Sequence, residues 1–264
     1  MHRRRVFSAL LLLLPFLAVV QLGSPLHFHL LLSLAILLCA WEFAWLCPGG
    51  ASRGMAAVTA VASLAWQWAM IAGLAPAVIA PLVAVVMLVR AVGGGEDFRA
   101  AAQRAAWTVF GVAYAAGLFS YASLLREGPD GRQFVYFAAL TTWAGDIGAY
   151  YVGSRLGRRP LARRVSPKKT VEGALGGIAA TLLVAALGSG GVWPRFPLAT
   201  AIGVGALLAV VGILGDLSES VLKRAAGVKD SGALIPGHGG VLDRLDSLIF
   251  CTPALYGCVW LGLV

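Results

Sequence analysis

LATAIGVGALLAVVGILGDL, residues 198–217, is an apolar run with a single charged side chain, Asp216, close to its end. The hydrocarbon core of a bilayer is about 30 Å thick and a helix rises about 1.5 Å per residue, so about 20 apolar residues span it. The run therefore predicts a transmembrane helix, and it indicates that the chain is a membrane protein.

The composition of the whole chain agrees with this interpretation. Hydrophobic residues make up 59% of the 264 residues and charged residues 12%, whereas soluble domains are about 25% charged. We predict an all-α, polytopic integral membrane protein with about nine transmembrane helices. The third and fourth helices share a turn at Pro76, and Pro81 lies in the first turn of the fourth, where a missing N–H costs least. The nine predicted segments are 6–22, 26–46, 55–75, 77–92, 107–125, 133–155, 173–190, 198–217 and 247–263.

The positions of Lys and Arg predict the orientation, because cytoplasmic loops are enriched in these residues. With a cytoplasmic N-terminus and nine crossings, eighteen of the 21 Lys and Arg residues fall inside. This favours an uncleaved first helix over a signal peptide, and it explains the net charge of +9 without nucleic acid. Two polar segments, 155–172 and 216–246, are then cytoplasmic. The inside residues are Arg3, Arg4, Arg5, Arg53, Arg90, Arg99, Arg104, Arg155, Arg158, Arg159, Arg163, Arg164, Lys168, Lys169, Lys223, Arg224, Lys229 and Arg244.

Two acidic residues, Glu42 and Asp146, fall inside predicted helices. An ionised carboxylate at the centre of a membrane helix costs about 2.5–3.5 kcal/mol on insertion scales, so Asp146 requires a partner, a metal or a wet cavity. Pairing with an arginine of the next loop is the alternative. The flanking Gly145, Gly148 and Gly153 fit a second structural role, the close packing of helices.

The sequence SPKKT, residues 166–170, is the first candidate for phosphate binding. Ser166 and Pro167 are typical of a turn or a helix start. Lys168 and Lys169, beside the free N–H groups of a helix N-terminus, suit a polyphosphate. The alternative is a cationic cluster that lies on anionic lipid.

The polar segment 216–246 holds the second candidate site. If the eighth helix continues past residue 217, Asp216, Glu219, Ser220 and Lys223 share one face. Asp243 and Asp246, three residues apart, also share a face. Carboxylates from separate segments beside Lys and Arg are typical of a Mg²⁺–polyphosphate site, although a salt-bridged helix end has similar residues. For His238, within the GHGG sequence whose backbone can approach a phosphate, a phosphate contact or a loop hydrogen bond is favoured over metal ligation.

The run SVLKRAAGVKDSGALIPGHGGVLDRLD, Ser220 to Asp246, closely resembles the signature of the bacterial phosphatidate cytidylyltransferases, or CDP-diacylglycerol synthases. The Asp146 segment, Ser166–Thr170 and Gly215–Asp216 also resemble the C-terminal half of that family. The resemblance covers about residues 135–260, whereas the N-terminal helices are similar only in being apolar.

The resemblance implies transfer of a cytidylyl group from CTP to phosphatidate in the bacterial inner membrane, with Mg²⁺ and a second cation such as K⁺, by a homodimer. It implies that residues 1–106 supply a dimer interface or lipid groove and residues 107–264 the catalytic domain. A CTP-dependent polyprenol or phytol kinase and an ion-coupled transporter are the alternatives. The predicted metal ligands are Asp216, Asp243, Asp246 and Asp146. The predicted catalytic residues are Asp216, Asp243, Asp246, Lys223 and Arg224. The predicted substrate-binding residues are Ser166, Lys168, Lys169, Lys229, His238 and Arg244.

Overall fold

The structure is a computed structural model that describes residues 13–94, 97–189, 191–193, 196–235, 237 and 239–264. These residues are predominantly helical and contain only two short strands, which confirms the all-α class. The α-helices are α1 (Leu13–Leu22), α2 (Pro25–Trp45), α3 (Arg53–Ile71), α4 (Ile79–Gly94), α5 (Phe98–Val112), α6 (Tyr121–Glu127), α7 (Gly131–Leu156), α8 (Val171–Gly188), α9 (Leu198–Ala225) and α10 (Leu242–Trp260). A 3₁₀ turn (Pro76–Val78), a π-helix (Ala113–Leu118) and the short strands β1 (Pro160–Ala162) and β2 (Ser166–Thr170) complete the described elements.

Each predicted membrane segment overlaps a helix, although the ends differ by several residues in places, and residues 6–12 and 190 lie outside the described part of the chain. Within the described part of the chain, five helical stretches are long and apolar enough to cross a membrane, so the protein is a polytopic integral membrane protein. The helices α1, α4, α7 and α10 are not among the five, and nine crossings stay a prediction. The five stretches are Pro25–Trp45, Arg53–Ile71, Phe98–Glu127, Val171–Gly188 and Leu198–Ala225.

The chain packs as two compact units, of which the first comprises Met1–Leu124 and Leu222–Leu245. The side chain of Phe43 on α2 is fully buried there. Its ring stacks on Trp107 with 5.3 Å between centroids and meets Phe110 edge-on at 5.4 Å. A Cβ on Gly111 would lie 2.7 Å from the Phe43 ring, so the glycine allows α5 to approach α2 closely. Aromatic packing of this kind contributes beyond simple area burial.

Polar side chains also join helices within the first unit. Gln67 on α3 is fully buried, and its Oε1 accepts a hydrogen bond from Ser33 Oγ on α2 at 2.8 Å. Its Nε2 lies 3.2 Å from both the His29 carbonyl oxygen and Ser123 Oγ on α6. Hydrogen bonds between helices suit a membrane bundle, because the hydrophobic effect contributes little to helix association within lipid.

The second unit comprises Leu125–Val221 and Asp246–Val264, and its dominant contact is between α7 and α8. A Cβ on Gly148 would lie 2.5 Å from Ala180 Cβ, and a Cβ on Gly176 would lie 2.4 Å from Val152 Cβ. The prediction that the glycines around Asp146 allow close helix packing is therefore confirmed at Gly148. The predicted division of roles at residue 106 concerns function rather than packing, and it stays a prediction.

Within the predicted polar segment 155–172, residues 160–170 fold as a β-hairpin, with β1 antiparallel to β2. The prediction that Ser166 and Pro167 form a turn or helix start is wrong, because both lie in β2. A residue before proline avoids the α conformation, and proline is tolerated in a strand at a sheet edge. The helix α8 begins later, at Val171, where Thr170 Oγ1 accepts a hydrogen bond from Gly173 N at 3.1 Å and caps the helix.

The hairpin is held to the first turn of α8 by Glu172. Its Oε2 accepts hydrogen bonds from the backbone N–H groups of Arg158 (2.9 Å) and Arg159 (3.1 Å). Its Oε1 accepts a third from Arg159 Nε at 3.1 Å. Because these contacts fix the base of the hairpin, they determine where β2 runs relative to α8.

Candidate active site

Three carboxylates of the second unit converge where α9 and α10 approach one another. Asp216 and Glu219 on α9 and Asp246 on α10 each place one carboxylate oxygen within 4.8 Å of the other two. Asp216 and Glu219 share a helix face because they are three residues apart. The structure therefore brings together Asp216 and Asp246, as predicted, and adds Glu219.

Small residues allow α9 and α10 to meet at this point. A Cβ on Gly215 would lie 2.7 Å from the Asp246 carbonyl oxygen, and a Cβ on Gly212 would lie 3.5 Å from Cys251 Sγ. Any larger residue at position 215 would push α10 away from α9. The glycine that precedes Asp216 in sequence thus positions Asp246 opposite it.

Lys169 from the hairpin joins the carboxylates through an ion pair between its Nζ and Asp216 Oδ2. Both side chains are partly exposed, so solvent and ligands can reach the pair. Lys168 is exposed, in contrast to its neighbour. The two predicted segments, 155–172 and 216–246, therefore meet at Lys169 and Asp216.

The three-carboxylate group fits a hard divalent cation. Carboxylate oxygens are the ligands that Mg²⁺ prefers, and Mg²⁺ needs only one or two of them together with substrate phosphates and water. Three carboxylates within 4.8 Å repel one another when ionised, and Lys169 offsets one charge. The donor set is therefore suited to Mg²⁺, with Glu219, fully buried, as its innermost member.

Asp243 has different surroundings, in the first packing unit. Its Oδ1 accepts a hydrogen bond from Lys223 Nζ at 2.6 Å, and its Oδ2 accepts from the N–H groups of Ser231 (3.0 Å) and Gly240 (2.7 Å). The side chain is 4% exposed. Burial raises the pKa of Asp243, but the hydrogen bonds from Lys223, Gly240 and Ser231 outweigh it, and the pKa lies below its usual range. Its metal-ligand role stays a prediction.

The contacts of Glu42 on α2 are the feature that sequence reasoning missed. Glu42 is 6% exposed. Its Oε2 accepts hydrogen bonds from Ser231 Oγ (3.0 Å) and Leu242 N (2.9 Å), and its Oε1 accepts from Val241 N at 3.0 Å. The available signal was an acidic residue in an apolar helix, which requires partners. Sequence could not name those partners, because they lie about 190 to 200 residues away.

The other predicted residues have more open positions. Ser166 is partly buried in β2, and Arg224 Nη1 donates a hydrogen bond to the Val228 carbonyl oxygen at 3.3 Å. Asp146 lies on an exposed part of α7 and does not belong to the three-carboxylate group. His238 lies outside the described residues. Exposed positions hold four predicted cations, namely Lys168, Arg224, Lys229 and Arg244.

The fold and this site define a class, the polytopic membrane proteins with a carboxylate and lysine centre built from helix ends and a short hairpin. The chain belongs to the cytidylyltransferase family, whose family model matches residues 3–261. This membership agrees with the resemblance found in the run Ser220–Asp246.

Three of the proteins to which the chain is similar are each named phosphatidate cytidylyltransferase. The Synechocystis sp. protein is 51% identical over 129 residues, which are 48% of this chain and 43% of that protein. The Bacillus subtilis protein is 45% identical over 126 residues, 48% of this chain and 47% of that protein. The Brucella suis protein is 45% identical over 156 residues, 57% of this chain and 56% of that protein. The chain thus spans about half the length of the curated relatives that it matches.

Proposed function

We propose that the protein transfers a cytidylyl group from CTP to phosphatidate, which yields CDP-diacylglycerol and pyrophosphate for phospholipid synthesis. The observation that carries the proposal is the group Asp216, Glu219 and Asp246 beside Lys169, in a chain of the cytidylyltransferase family. The names of the relatives supply the lipid substrate.

In the proposed reaction a phosphate oxygen of phosphatidate attacks the α-phosphorus of CTP. The bond between the α-phosphorus and the bridging oxygen to the β-phosphate breaks, and pyrophosphate leaves with that electron pair. The nucleophile is already anionic, so strong general-base catalysis is not required. The activation barrier comes mainly from bringing two anions together and from the negative charge that develops on the leaving group. Fixed cations lower both contributions.

Asp216, Glu219 and Asp246 are the residues that we propose to hold Mg²⁺, with a second cation such as K⁺ close by. When bound, Mg²⁺ would screen the phosphate charges and orient the triphosphate. Lys169 is tied to Asp216 and would contribute a fixed positive charge at the same point. The exposed side chains of Lys168, Arg224, Lys229 and Arg244 would approach phosphate oxygens from solvent. Ser166 and His238 stay further candidates for substrate binding.

For Asp243 we favour a different role from the metal ligand that the sequence suggests. Its two oxygens are engaged by Lys223 and by two backbone N–H groups. Such contacts support a carboxylate that organises the loop before α10 and orients Lys223.

We further propose that both polar segments face the cytoplasm of a bacterial inner membrane and that the protein works as a homodimer. CTP is a cytosolic solute, and the phosphate of phosphatidate lies at headgroup depth. The bias of eighteen Lys and Arg residues against three supports this orientation.

Position-specific labels test the reaction directly. Purified protein is mixed with phosphatidate vesicles, Mg²⁺ and CTP that carries ³²P in either its α- or γ-phosphate. A cytidylyltransferase moves the α-label into the lipid fraction and releases the γ-label as pyrophosphate. A CTP-dependent lipid kinase would move the γ-label into the lipid, and that result would overturn the proposal. The absence of both labels from the lipid, with protein shown to be folded, would also overturn it.

A further inference from the structure

The loop that precedes α10 is held by two carboxylates rather than one. We name its described parts, residues 231–235, 237 and 239–241, the anchored loop. The Asp243 carboxylate holds it from α10, and the Glu42 carboxylate holds it from α2. Ser231 contacts both, since its N–H donates to Asp243 Oδ2 and its Oγ donates to Glu42 Oε2.

We propose that Glu42 is a positioning residue that fixes the anchored loop for substrate binding, a role that rests on the proposed function. The loop lies between Lys229 on one side and Arg244 on the other, both predicted phosphate contacts. Lys223, which pairs with Asp243, is the third cation whose place depends on the loop. Glu42 would thus act through these cations rather than on substrate.

The donors around Glu42 explain why the position holds an acid. Among the residues that the structure describes, the groups that donate to its carboxylate are two N–H groups and one hydroxyl. A carboxylate is acceptor-only and satisfies all three, whereas a Gln amide would direct its own N–H₂ group towards donors. Hydrogen bonds to a buried charge are worth more than neutral ones, because the charge is otherwise costly to bury.

The same contacts satisfy the start of α10. The first N–H groups of a helix have no partner within the helix, and the positive end of its dipole favours nearby anions. Here the N–H groups of Gly240, Val241 and Leu242 donate to Asp243 and Glu42. Leu242 is the first residue of α10 and Gly240 and Val241 precede it, so Glu42 caps the first N–H of the helix and holds Val241, while Asp243 holds Gly240.

The glycines of the anchored loop fit this arrangement closely. A Cβ on Gly240 would lie 2.3 Å from Glu42 Oε2 and 2.2 Å from Ser231 Oγ. A Cβ on Gly232 would lie 2.6 Å from Glu42 Oε1. These two positions in the signature run need glycine because the loop closes around the Glu42 carboxylate.

The experiment compares Glu42→Gln with Gln67→Leu, a matched control that removes another buried polar group of the same packing unit away from the loop. A single cysteine at Ile235, which is 7% exposed, reports loop opening through its rate of reaction with a thiol reagent in a background without the native cysteines. We expect Glu42→Gln to raise that rate at least tenfold at a temperature where the protein is folded. The rate in Gln67→Leu should stay within twofold of the parent.

Steady-state kinetics separate positioning from general stability. We expect Glu42→Gln to lower kcat/KM per folded molecule at least tenfold, and Ser231→Ala to lower it about threefold. Because both act through one contact, the double variant should be no worse than Glu42→Gln alone. If Glu42→Gln does not fold, Ser231→Ala with the same two measurements carries the test.

The proposal would be overturned if folded Glu42→Gln had the same labelling rate and the same kcat/KM as the parent protein. Additive losses of kcat/KM in the double variant would also overturn it. The labelling measurement needs no turnover. A protein that shows no transfer from CTP to phosphatidate would refute the proposed function, and labelling would still decide the role of Glu42.

Discussion

At the scale of single residues, the carboxylates separate into two environments. Asp216, Glu219 and Asp246 lie close together, and Lys169 forms an ion pair with Asp216. Asp243 is engaged by a lysine and two backbone N–H groups. The two environments predict different responses to the same Asp→Asn substitution.

Asp246→Asn should impair turnover while the fold is retained. It removes one charge from the proposed cation site and keeps the size of the side chain, so we expect at least an approximately hundredfold loss by analogy with other preorganised electrostatic sites. Higher Mg²⁺ should restore part of the activity. Asp97→Asn is the control, because Asp97 is an exposed helix cap on α5 and Asn caps as well as Asp. Turnover and Tm are measured on the same preparation, and an unstable variant with full activity per folded molecule would remove Asp246 from the site.

Asp243→Asn should reduce stability, because it leaves the largely buried Lys223 ammonium group without its ionised partner. Loss of one member of a buried pair costs about 3–5 kcal/mol. The lowered pKa of Asp243 means that the wild-type carboxylate contributes stability above its usual pKa, near pH 4, and loses it as the pH falls through the lower folded value. Wild-type Tm should therefore fall on acidification below about pH 4, and the variant should show a smaller fall. Equal pH profiles would contradict this account.

Lys168→Ala and Lys169→Ala should each lower kcat/KM roughly tenfold to a hundredfold, since a charge-assisted phosphate contact is worth about 1.5–3 kcal/mol. Only Lys169→Ala should also change the Mg²⁺ concentration at half-maximal activity, because Lys169 pairs with Asp216. Arg163→Ala, an exposed cation in the turn of the same hairpin, is the control. Wild-type kinetics in both lysine variants would favour a role on anionic lipid instead.

At the scale of elements, α7 and α8 are joined by close backbone contact rather than by large side chains. The approach depends on glycines that face each other, and the bulk of Val152 and Ala180 fills the remaining space. Since lipid competes well for apolar side chains, close packing through small residues is an effective way to join membrane helices. The hairpin that carries Lys169 is attached to α8, so the α7–α8 contact also supports the site.

Gly148→Ala should destabilise the protein by about 1–3 kcal/mol, the usual cost of overpacking. The new Cβ would lie 2.5 Å from Ala180 Cβ and 2.6 Å from the Gly176 carbonyl oxygen. Gly203→Ala on α9 is the matched control, because nothing lies within 4 Å of its new Cβ. Thermal unfolding in detergent compares the two. An equal Tm for both variants would mean that the α7–α8 contact can relax at no cost.

At the scale of the whole molecule, the orientation in the membrane determines which compartment supplies the nucleotide. The predicted crossings place residues 155–172 and 216–246 on the cytoplasmic side and residues 126–132 on the other. The cation bias supports this arrangement, because Lys and Arg are retained on the cytoplasmic face.

Single cysteines test the orientation in intact cells. Arg163 and Ala233 are exposed and lie in the two polar segments, while Glu127 is exposed in a loop predicted on the opposite side. In a cysteine-free background, an impermeant thiol reagent should label Glu127→Cys and should reach the other two only after the membrane is opened. Labelling of Arg163→Cys or Ala233→Cys from outside would refute the predicted orientation.

Local sequence features were sufficient to predict the helices and part of the site. Apolar runs of membrane length located the helical segments, because a bilayer imposes helix formation on any such run. Helical spacing placed Asp216 and Glu219 on one face, and the signature Ser220–Asp246 indicated the family through its residues alone. The hairpin 160–170 was missed, because a short charged segment has neither the apolar run nor the strict alternation that predicts a regular element.

Tertiary structure alone decided which distant groups meet. Lys169 reaches Asp216 because the hairpin turns back along α8, and Asp246 reaches the same point because Gly215 lets α10 approach α9. The Glu42 carboxylate meets Leu242 N from 200 positions away. Composition and periodicity show that Glu42 lies in an apolar helix, and they therefore indicate that burying its charge is costly. They cannot identify the donors that offset this cost, because those are set by how the helices pack.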